Sequence, residues 1–532
     1  MQFSRFTSGL ALALALGAGA AQAETPLPAL ALPDPMPAPP ATVLLPVPDE
    51  RIDAAVAALD AIAQQMMDRS GIPGMSVAVV HEGETIYAKG FGLRAVGQDA
   101  PVDADTVFLL ASLSKSVGST VVATQISDTA LTWDTPVSEL LPWFDMGDGW
   151  ITEHVTIGDL YAHRSGLPDH AGDDLEDLGY DRRTVLDRLH LLPHHAFRTQ
   201  YAYTNFGLTA AAEGVANAAD TTWAELSESA LYQPLGMEST SSRHADYMAR
   251  DNRAASHMMG DAGYKVADLR QPDAQSPAGG VSSSANDMAR WMTMVLAEGL
   301  AGETRLIAED ALRPALAAQS INGLPMSPAA RGGFYGYGFG VGVRATGRVQ
   351  ISHSGGFALG ASTNFTLLPD LDLGIVVLTN APPTGAAEAL AAAFMDQVEL
   401  GVETRDWLAG YAPIMASLTA PFGRLVGQNP PENPAPAHPN DTYVGQYDNA
   451  YFGPARVVAG DDGLVLQLGP EARELAMQHW DGDAFIVRPM TENQPQGSVS
   501  LVEFVLEDGS SKASMTIEHL DEEGLGVFLR GE

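Results

Sequence analysis

The chain contains no cysteine, which excludes disulfides, thiolate nucleophiles and lipid attachment through a thiol. Absence of cysteine also suits an oxidising compartment. Lysine is nearly as scarce: Lys89, Lys115, Lys265 and Lys512 are the only four, and arginine supplies most of the 29 basic residues. Against 66 acidic residues these leave a formal net charge of −37. Such a balance argues against nucleic acid and anionic membrane surfaces as partners. Histidines do not form a metal signature: His190 and His194 are four apart, but Pro193 interrupts the helix that would align them. No dinucleotide fingerprint or phosphate loop is present, so neither a metal nor an organic cofactor is expected.

Long hydrophobic runs are also missing, except at the start. Arg5 precedes an Ala/Leu/Gly-rich run from Gly9 to Ala20, and Ala21-Gln22-Ala23 then reads as a cleavage signature. Residues 1–23 are therefore expected to be a signal peptide, with the chain exported to a periplasm or the exterior and holding no stable membrane anchor. Residues 24–50, rich in proline, read as an extended tether. Apolar residues make up 45% of the 532, ample for a sizeable core.

From Asp53 to Met67 the apolar positions Val56, Leu59, Ile62, Ala63 and Met66 predict a helix. Met75–Val80 and Thr85–Ala88 predict a hairpin; residues 112–300 read as mostly helical with long loops. Strand pattern returns at Arg348–Ser352, Thr363–Leu368 and Leu373–Leu378, and Glu388–Leu400 reads as an alanine-rich helix. The simplest account is a sheet built from both ends of residues 51–404 with a helical insertion between, and a cleft at the junction. Residues 405–440 read as a linker. Beyond it, short alternating strands separated by turn residues (Arg456–Ala459, Leu464–Leu468, Ala484–Val487, Leu501–Leu506, Met515–Leu520, Val527–Arg530) predict a small antiparallel barrel or sandwich over residues 441–532. Tyr447, Tyr451, Phe452 and Trp480 are expected in its core and rim.

What carries chemistry begins at Ser112-Leu113-Ser114-Lys115, at the expected start of an apolar helix. Residues three apart share a helix face, so the amine of Lys115 can reach the hydroxyl of Ser112. Serine needs a neighbouring base to become a nucleophile, and a desolvated lysine can lose its proton where arginine cannot. Ser114 and Ser116 have no lysine three residues on. Tyr203-Thr204-Asn205 supplies a phenol suited to proton relay and an amide suited to holding an acyl-group amide. His353-Ser354-Gly355-Gly356 follows a strand-like segment; its glycines would let a substrate backbone lie alongside. The N–H groups of Ser112 and Gly356 could then face a developing oxyanion. Tyr447-Asp448-Asn449, His81-Glu82-Gly83 and His170-Ala171-Gly172 repeat parts of these patterns, but order and context favour Ser112, Lys115, Tyr203, Asn205 and His353.

The ordered series S-x-x-K, Y-x-N, H-x-G resembles the serine hydrolases related to class C β-lactamases and penicillin-binding proteins. Ile72-Pro73-Gly74-Met75, His163-Arg164-Ser165-Gly166-Leu167-Pro168 and Leu378-Thr379-Asn380 widen the resemblance to roughly residues 51–400. It implies an α+β fold, an α/β sandwich of the β-lactamase/DD-peptidase type, with an antiparallel sheet flanked by helices plus a helical subdomain. The C-terminal strands resemble the lipocalin-like barrels attached to some members. By the same resemblance Ser112 is the acylated nucleophile, and Lys115 and Tyr203 share general-base and general-acid work. Asn205 holds Lys115 and substrate, and His353, with Gly355 and Gly356, lines the site on an edge strand. The third motif departs from the K-T-G usual in class C β-lactamases, and its histidine is more similar to DD-peptidases, D-aminopeptidases and some esterases. The expected function is cleavage of amide bonds in small or peptide substrates, D-residues included. A carboxylesterase is the alternative, and a non-catalytic protein that captures peptides or cell-wall fragments is the alternative of another class.

Overall fold

Helix α1 (Glu50–Ser70) buries Ile52, Ala55, Leu59, Ala63 and Met66, a stripe at helical spacing, while Val56 and Ile62 flank it half-buried. The computed structural model describes residues 45–48, 50–506 and 513–531; the expected signal peptide and nearly all of the proline-rich tether lie outside the described residues. Strand β1 (Gly74–His81) turns through Glu82 and Gly83, both at positive φ (49° and 81°), into β2 (Glu84–Gly92). Two successive positive φ angles match the twist of a tight hairpin.

The chain then leaves the sheet for the helical region. Helix α2 (Leu113–Asp128) is buried all round from Leu113 to Thr124, so it is the central helix. Around it lie the short α3 (Asp173–Asp177), α4 (Asn205–Ala218) and α5 (Ala285–Leu296). The chain returns as β3 (Ser320–Gly323), β4 (Gly333–Tyr335), β5 (Gly340–Val343), β6 (Val349–Phe357), β7 (Ala361–Leu368) and β8 (Leu373–Thr379). The resulting antiparallel sheet has the order β2-β1-β8-β7-β6-β5-β4-β3, so β1 pairs with β8 and joins the two ends of the catalytic region. Alternate residues of β1 and β8 sort into two cores. Val77, Val79, Ile375 and Val377 meet α1 and the next helix, α6 (Ala386–Leu400); Ala78, Val80, Val376 and Leu378 join the core that contains α2 and α5. Both faces being covered, these strands read as continuous apolar runs.

Two expectations change. β6 is not an edge strand throughout: β5 pairs with it from Val349 to Ser352, and only beyond Ser352 does β5 leave its outer side unpaired. The stretch expected to be a linker opens with helix α7 (Trp407–Leu418), capped by the Asp406 side chain on the Ala409 N–H (3.0 Å). Trp407 stacks on Tyr411, and its indole donates to Asp396 of α6 (2.8 Å), which ties α7 to the catalytic region.

The C-terminal strands close into an eight-stranded barrel: β9 (Gly445–Asp448), β10 (Ala455–Gly460), β11 (Gly463–Leu468), β12 (Arg473–Asp481), β13 (Ala484–Val487), β14 (Ser500–Leu506), β15 (Ala513–Ile517) and β16 (Val527–Arg530). Each pairs antiparallel with its sequence neighbour and β16 returns to β9, the up-and-down order of lipocalins. Closure removes every edge. Tyr447 fills the interior, whereas Tyr451 and Phe452 also face the cavity described below. The expected strand at Met515–Leu520 stops at Ile517, where a 3-10 turn (Glu518–Leu520) begins. Among the described residues no helix is long and apolar enough to cross a membrane.

Candidate active site

Ser112 stands just ahead of the first residue of α2, preceded by Ala111 in the left-handed region (φ 48°). A serine at a helix start ordinarily caps the helix, but this hydroxyl caps nothing. Instead Lys115 Nζ lies 3.1 Å from Ser112 Oγ, and the Tyr203 hydroxyl donates to the same oxygen at 2.8 Å. Lys115 is completely buried and its Nζ has two further partners, Asn205 Oδ1 (2.6 Å) and the Ala278 carbonyl (3.0 Å). Both of these can only accept. A neutral amine has two hydrogens and one lone pair; with its hydrogens committed to Asn205 and Ala278, the lone pair faces Ser112. Burial lowers the Lys115 pKa to about 7, although Asp173 and Glu176 act in the opposite direction. Tyr203 moves the other way: burial keeps its phenol protonated well above the usual range.

The Lys115 contact is extended by residues that the sequence did not single out. The Asn205 amide donates to Asp173 Oδ2 (2.8 Å), which also meets His170 Nδ1 at 2.8 Å. Partial desolvation lowers the His170 pKa, but its bond to Asp173 and the charges of Asp173 and Asp169 outweigh this and bring it to about 9. A line His170–Asp173–Asn205–Lys115 therefore runs from the cavity to the amine. Set aside in the sequence as one of several H-x-G patterns, His170 lies on the cavity wall. The loop 163–172 also holds the Tyr203 segment by its backbone. The His170 N–H donates to the Tyr203 carbonyl (2.7 Å), and the Thr204 N–H donates to His163 Nδ1 (3.1 Å).

The third motif approaches from β6. Where Gly355 passes α2, an added Cβ would stand 2.4 Å from the Leu110 carbonyl oxygen and 2.9 Å from the Ser112 nitrogen. Only glycine lets the strand come this close. Gly356 is excluded from bearing a side chain for a different reason, since its Cβ would meet Pro383 at 2.7 Å. His353 is fully engaged: Nδ1 lies 2.6 Å from the Ser354 carbonyl and Nε2 2.8 Å from the Tyr335 hydroxyl. The carbonyl requires a proton on Nδ1, so Nε2 accepts from Tyr335 and the ring is neutral. Burial, with Lys115 nearby, lowers its pKa to about 3.

Ser112, Tyr203, Gly355 and Gly356 open onto a cavity of about 620 Å³ whose far wall comes from the barrel, including Tyr451, Phe452 and Glu492. Lys115, Asn205 and His353 lie behind this lining. Glu492 also takes the N–H groups of Ala358 (2.6 Å) and Leu359 (3.3 Å), fixing the turn after β6.

Residues 59–400 match the family model described as Beta-lactamase. The chain belongs to the β-lactamase family. It is a serine hydrolase of that family, which sets aside a purely binding role. A second match, over residues 429–525, is to a domain of unknown function, DUF3471. An unguisins hydrolase of Aspergillus campestris is 27% identical over 419 residues, spanning 74% of this β-lactamase-family chain and 75% of the relative. Two solved structures share the fold. The octameric penicillin-binding protein homologue from Pyrococcus abyssi aligns at TM-score 0.55 and 18% identity, over 89% of this chain and 100% of its own. A class C β-lactamase from Rhodobacter sphaeroides aligns at 0.53 and 22%, over 64% and 98%. Among the described residues no group of three or more side chains is arranged to hold a metal ion.

Proposed function

We propose that this protein is an exported hydrolase that cleaves amide bonds of small or peptide substrates, D-residues included, through a Ser112 acyl-enzyme. The observation that carries the proposal is the Lys115 amine, buried, 3.1 Å from the Ser112 hydroxyl and held by two further acceptors, which in the neutral form leave its lone pair for that hydroxyl. Lys115 takes the serine proton as Oγ attacks the carbonyl. The N–H groups of Ser112 and Gly356 receive the oxyanion, beside the glycine-only approach of β6 to α2. Tyr203, protonated and 2.8 Å from Oγ, relays a proton to the departing amine and assists the water that deacylates the enzyme. A leaving amine needs that proton more than an alkoxide does, so an acid held at this position equips the site for amides as well as esters. Asn205 and His353 are positioning residues: the first orients Lys115, and the second braces the β6 segment that carries Gly355 and Gly356.

Export rests on Arg5, the apolar run and Ala21-Gln22-Ala23. A mature chain beginning at Glu24 in an exported fraction would support it, and an intact Met1 there would count against it. The catalytic proposal is tested by mass spectrometry of matched D- and L-alanyl peptides and esters with wild type and Ser112→Ala. Peptide cleavage lost in the variant is expected, by a factor of about 10⁴ or more. Cleavage confined to esters would replace the amide reading with a carboxylesterase, and turnover undiminished in the variant would overturn the Ser112 assignment.

A further inference from the structure

The cavity around Ser112 has an unusual charge balance. Among the described residues its lining contains no lysine or arginine. Asp169, Asp173, Asp174 and Glu388 reach it from the catalytic region, and Glu492, Glu522 and Glu523 from the barrel. Among the described lining residues His170 is the one cationic side chain, and that ring is already bonded to Asp173.

A generally acidic chain places carboxylates on exposed surface, where hydration stabilises them. Two of these are placed differently. Glu388 is 5% exposed and Asp173 4% exposed, and each has an oxygen, Glu388 Oε2 and Asp173 Oδ1, with no hydrogen-bond partner. Leaving a buried acceptor unpaired costs about 1–3 kcal/mol, more if it is charged. Glu388 is the third residue of α6, where a carboxylate favours the helix start, and Ser354 lies beside it. That accounts for a carboxylate at this position but not for the empty Oε2. Nor are the cavity carboxylates gathered as a metal site, since no suitable group of three exists among the described residues. An organic cation fits them better, because one ammonium can serve an acceptor on the wall while the rest of the molecule occupies the cavity. At the third motif, meanwhile, His353 is neutral and turned into bonds with Tyr335 and Ser354, so no cation waits there for a substrate carboxylate.

We infer that the cavity selects substrates bearing a free ammonium group, such as a short peptide, amide or ester with an unblocked amino terminus, with Glu388 as its principal acceptor. The inference rests on the hydrolase reading and adds the charge of the substrate to it. Burial raises the carboxyl pKa of Glu492 to about 7 and, together with the charge of Asp177, that of Asp174 to about 8. An incoming cation would relieve both.

The test measures kcat/KM of the intact enzyme for alanine p-nitroanilide and alanine p-nitrophenyl ester, D and L, each with a free and an N-acetylated amine. The free-amine series should be favoured by about 10- to 100-fold, the worth of one charge-assisted hydrogen bond. That ratio should fall in Glu388→Gln. Equal or faster Ser112-dependent turnover of the acetylated series overturns the inference and leaves the hydrolase reading standing. If neither series is turned over through Ser112, the hydrolase reading fails, and calorimetric titration of Ser112→Ala with alaninamide and N-acetylalaninamide decides the ammonium site alone. Tighter binding of alaninamide supports it, and equal binding overturns it.

Discussion

The two sides of the cavity follow opposite rules. Around Ser112 the key polar atoms are paired: Lys115 Nζ has three partners, Asn205 uses both ends of its amide, and both His353 nitrogens are bonded. On the wall, carboxylates outnumber cations, with His170 bonded to Asp173 and Arg270 3.9 Å from Glu492, and two buried oxygens are left unpaired. A closed network holds atoms in one geometry and is suited to a chemical step that tolerates little displacement. An open, unsatisfied wall waits for a partner from outside and is suited to selection. Removing a group from the first region should therefore cost rate, whereas removing one from the second should gain stability and cost discrimination.

The sharpest way to break this contrast is Gly355→Ala. Its methyl group would press on the Leu110 carbonyl and the Ser112 nitrogen, neither of which can swing aside as a side chain can. A loss in kcat of about 10²-fold or more is expected from displacement of the reacting groups, with far-UV circular dichroism unchanged. A near-normal rate would show that the closed region is more tolerant than its bonding suggests.

Asp173→Asn probes the line where the two regions touch. In the proposed mechanism Lys115 acts as a neutral amine, so wild-type kcat/KM should rise through an acid limb near pH 7. The Asp173 charge holds the Lys115 pKa up, so its removal should move that limb to lower pH. A pH–rate profile with an unmoved limb would disconnect the wall from the amine.

Smallest in effect is Glu388→Gln. The pKa of Glu388 is raised in the folded state by burial, so the unfolded chain ionises first. Native stability contributed by this group is therefore lost as pH rises from about 4.5, the ordinary glutamate value, through the higher folded pKa. Glutamine should make the protein more stable by about 1 kcal/mol at neutral pH, with the gain vanishing below pH 4.5. Thermal melts at pH 4 and pH 7.5 measure it, and a variant less stable at both would mean that Glu388 is satisfied after all.

How much of this could be read in advance follows the reach of each contact. Ser112 and Lys115 are three residues apart at the start of one helix, so local spacing reveals them. Lys115 and Asn205 are separated by 90 positions, and the link onward reaches Asp173 at the start of α3, a helix too short to show a periodicity. Ordered motifs could identify Asn205, but nothing in Asp169-His170-Ala171-Gly172-Asp173 distinguishes a cavity wall from a polar turn. The same limit applies to the fold. β1 and β8 are mostly apolar and buried and stand out in the sequence, whereas β12 (Arg473–Asp481) is mostly exposed and lacks apolar alternation. Helix α7 was hidden by Gly410 and Pro413 within it, and by having only Leu408 and Met415 fully buried.

The barrel's share of the cavity has a consequence for how such a protein can change over generations. Glu522 and Glu523 sit on the link between β15 and β16, covalently remote from every residue that makes or breaks a bond. Mutations there can reshape and recharge the cavity lining while leaving Ser112, Lys115 and Tyr203 untouched. Glu492 is the exception, because it also fixes the turn beyond β6, and a change at that position would disturb the strand that carries Gly355 and Gly356 as well as the cavity lining.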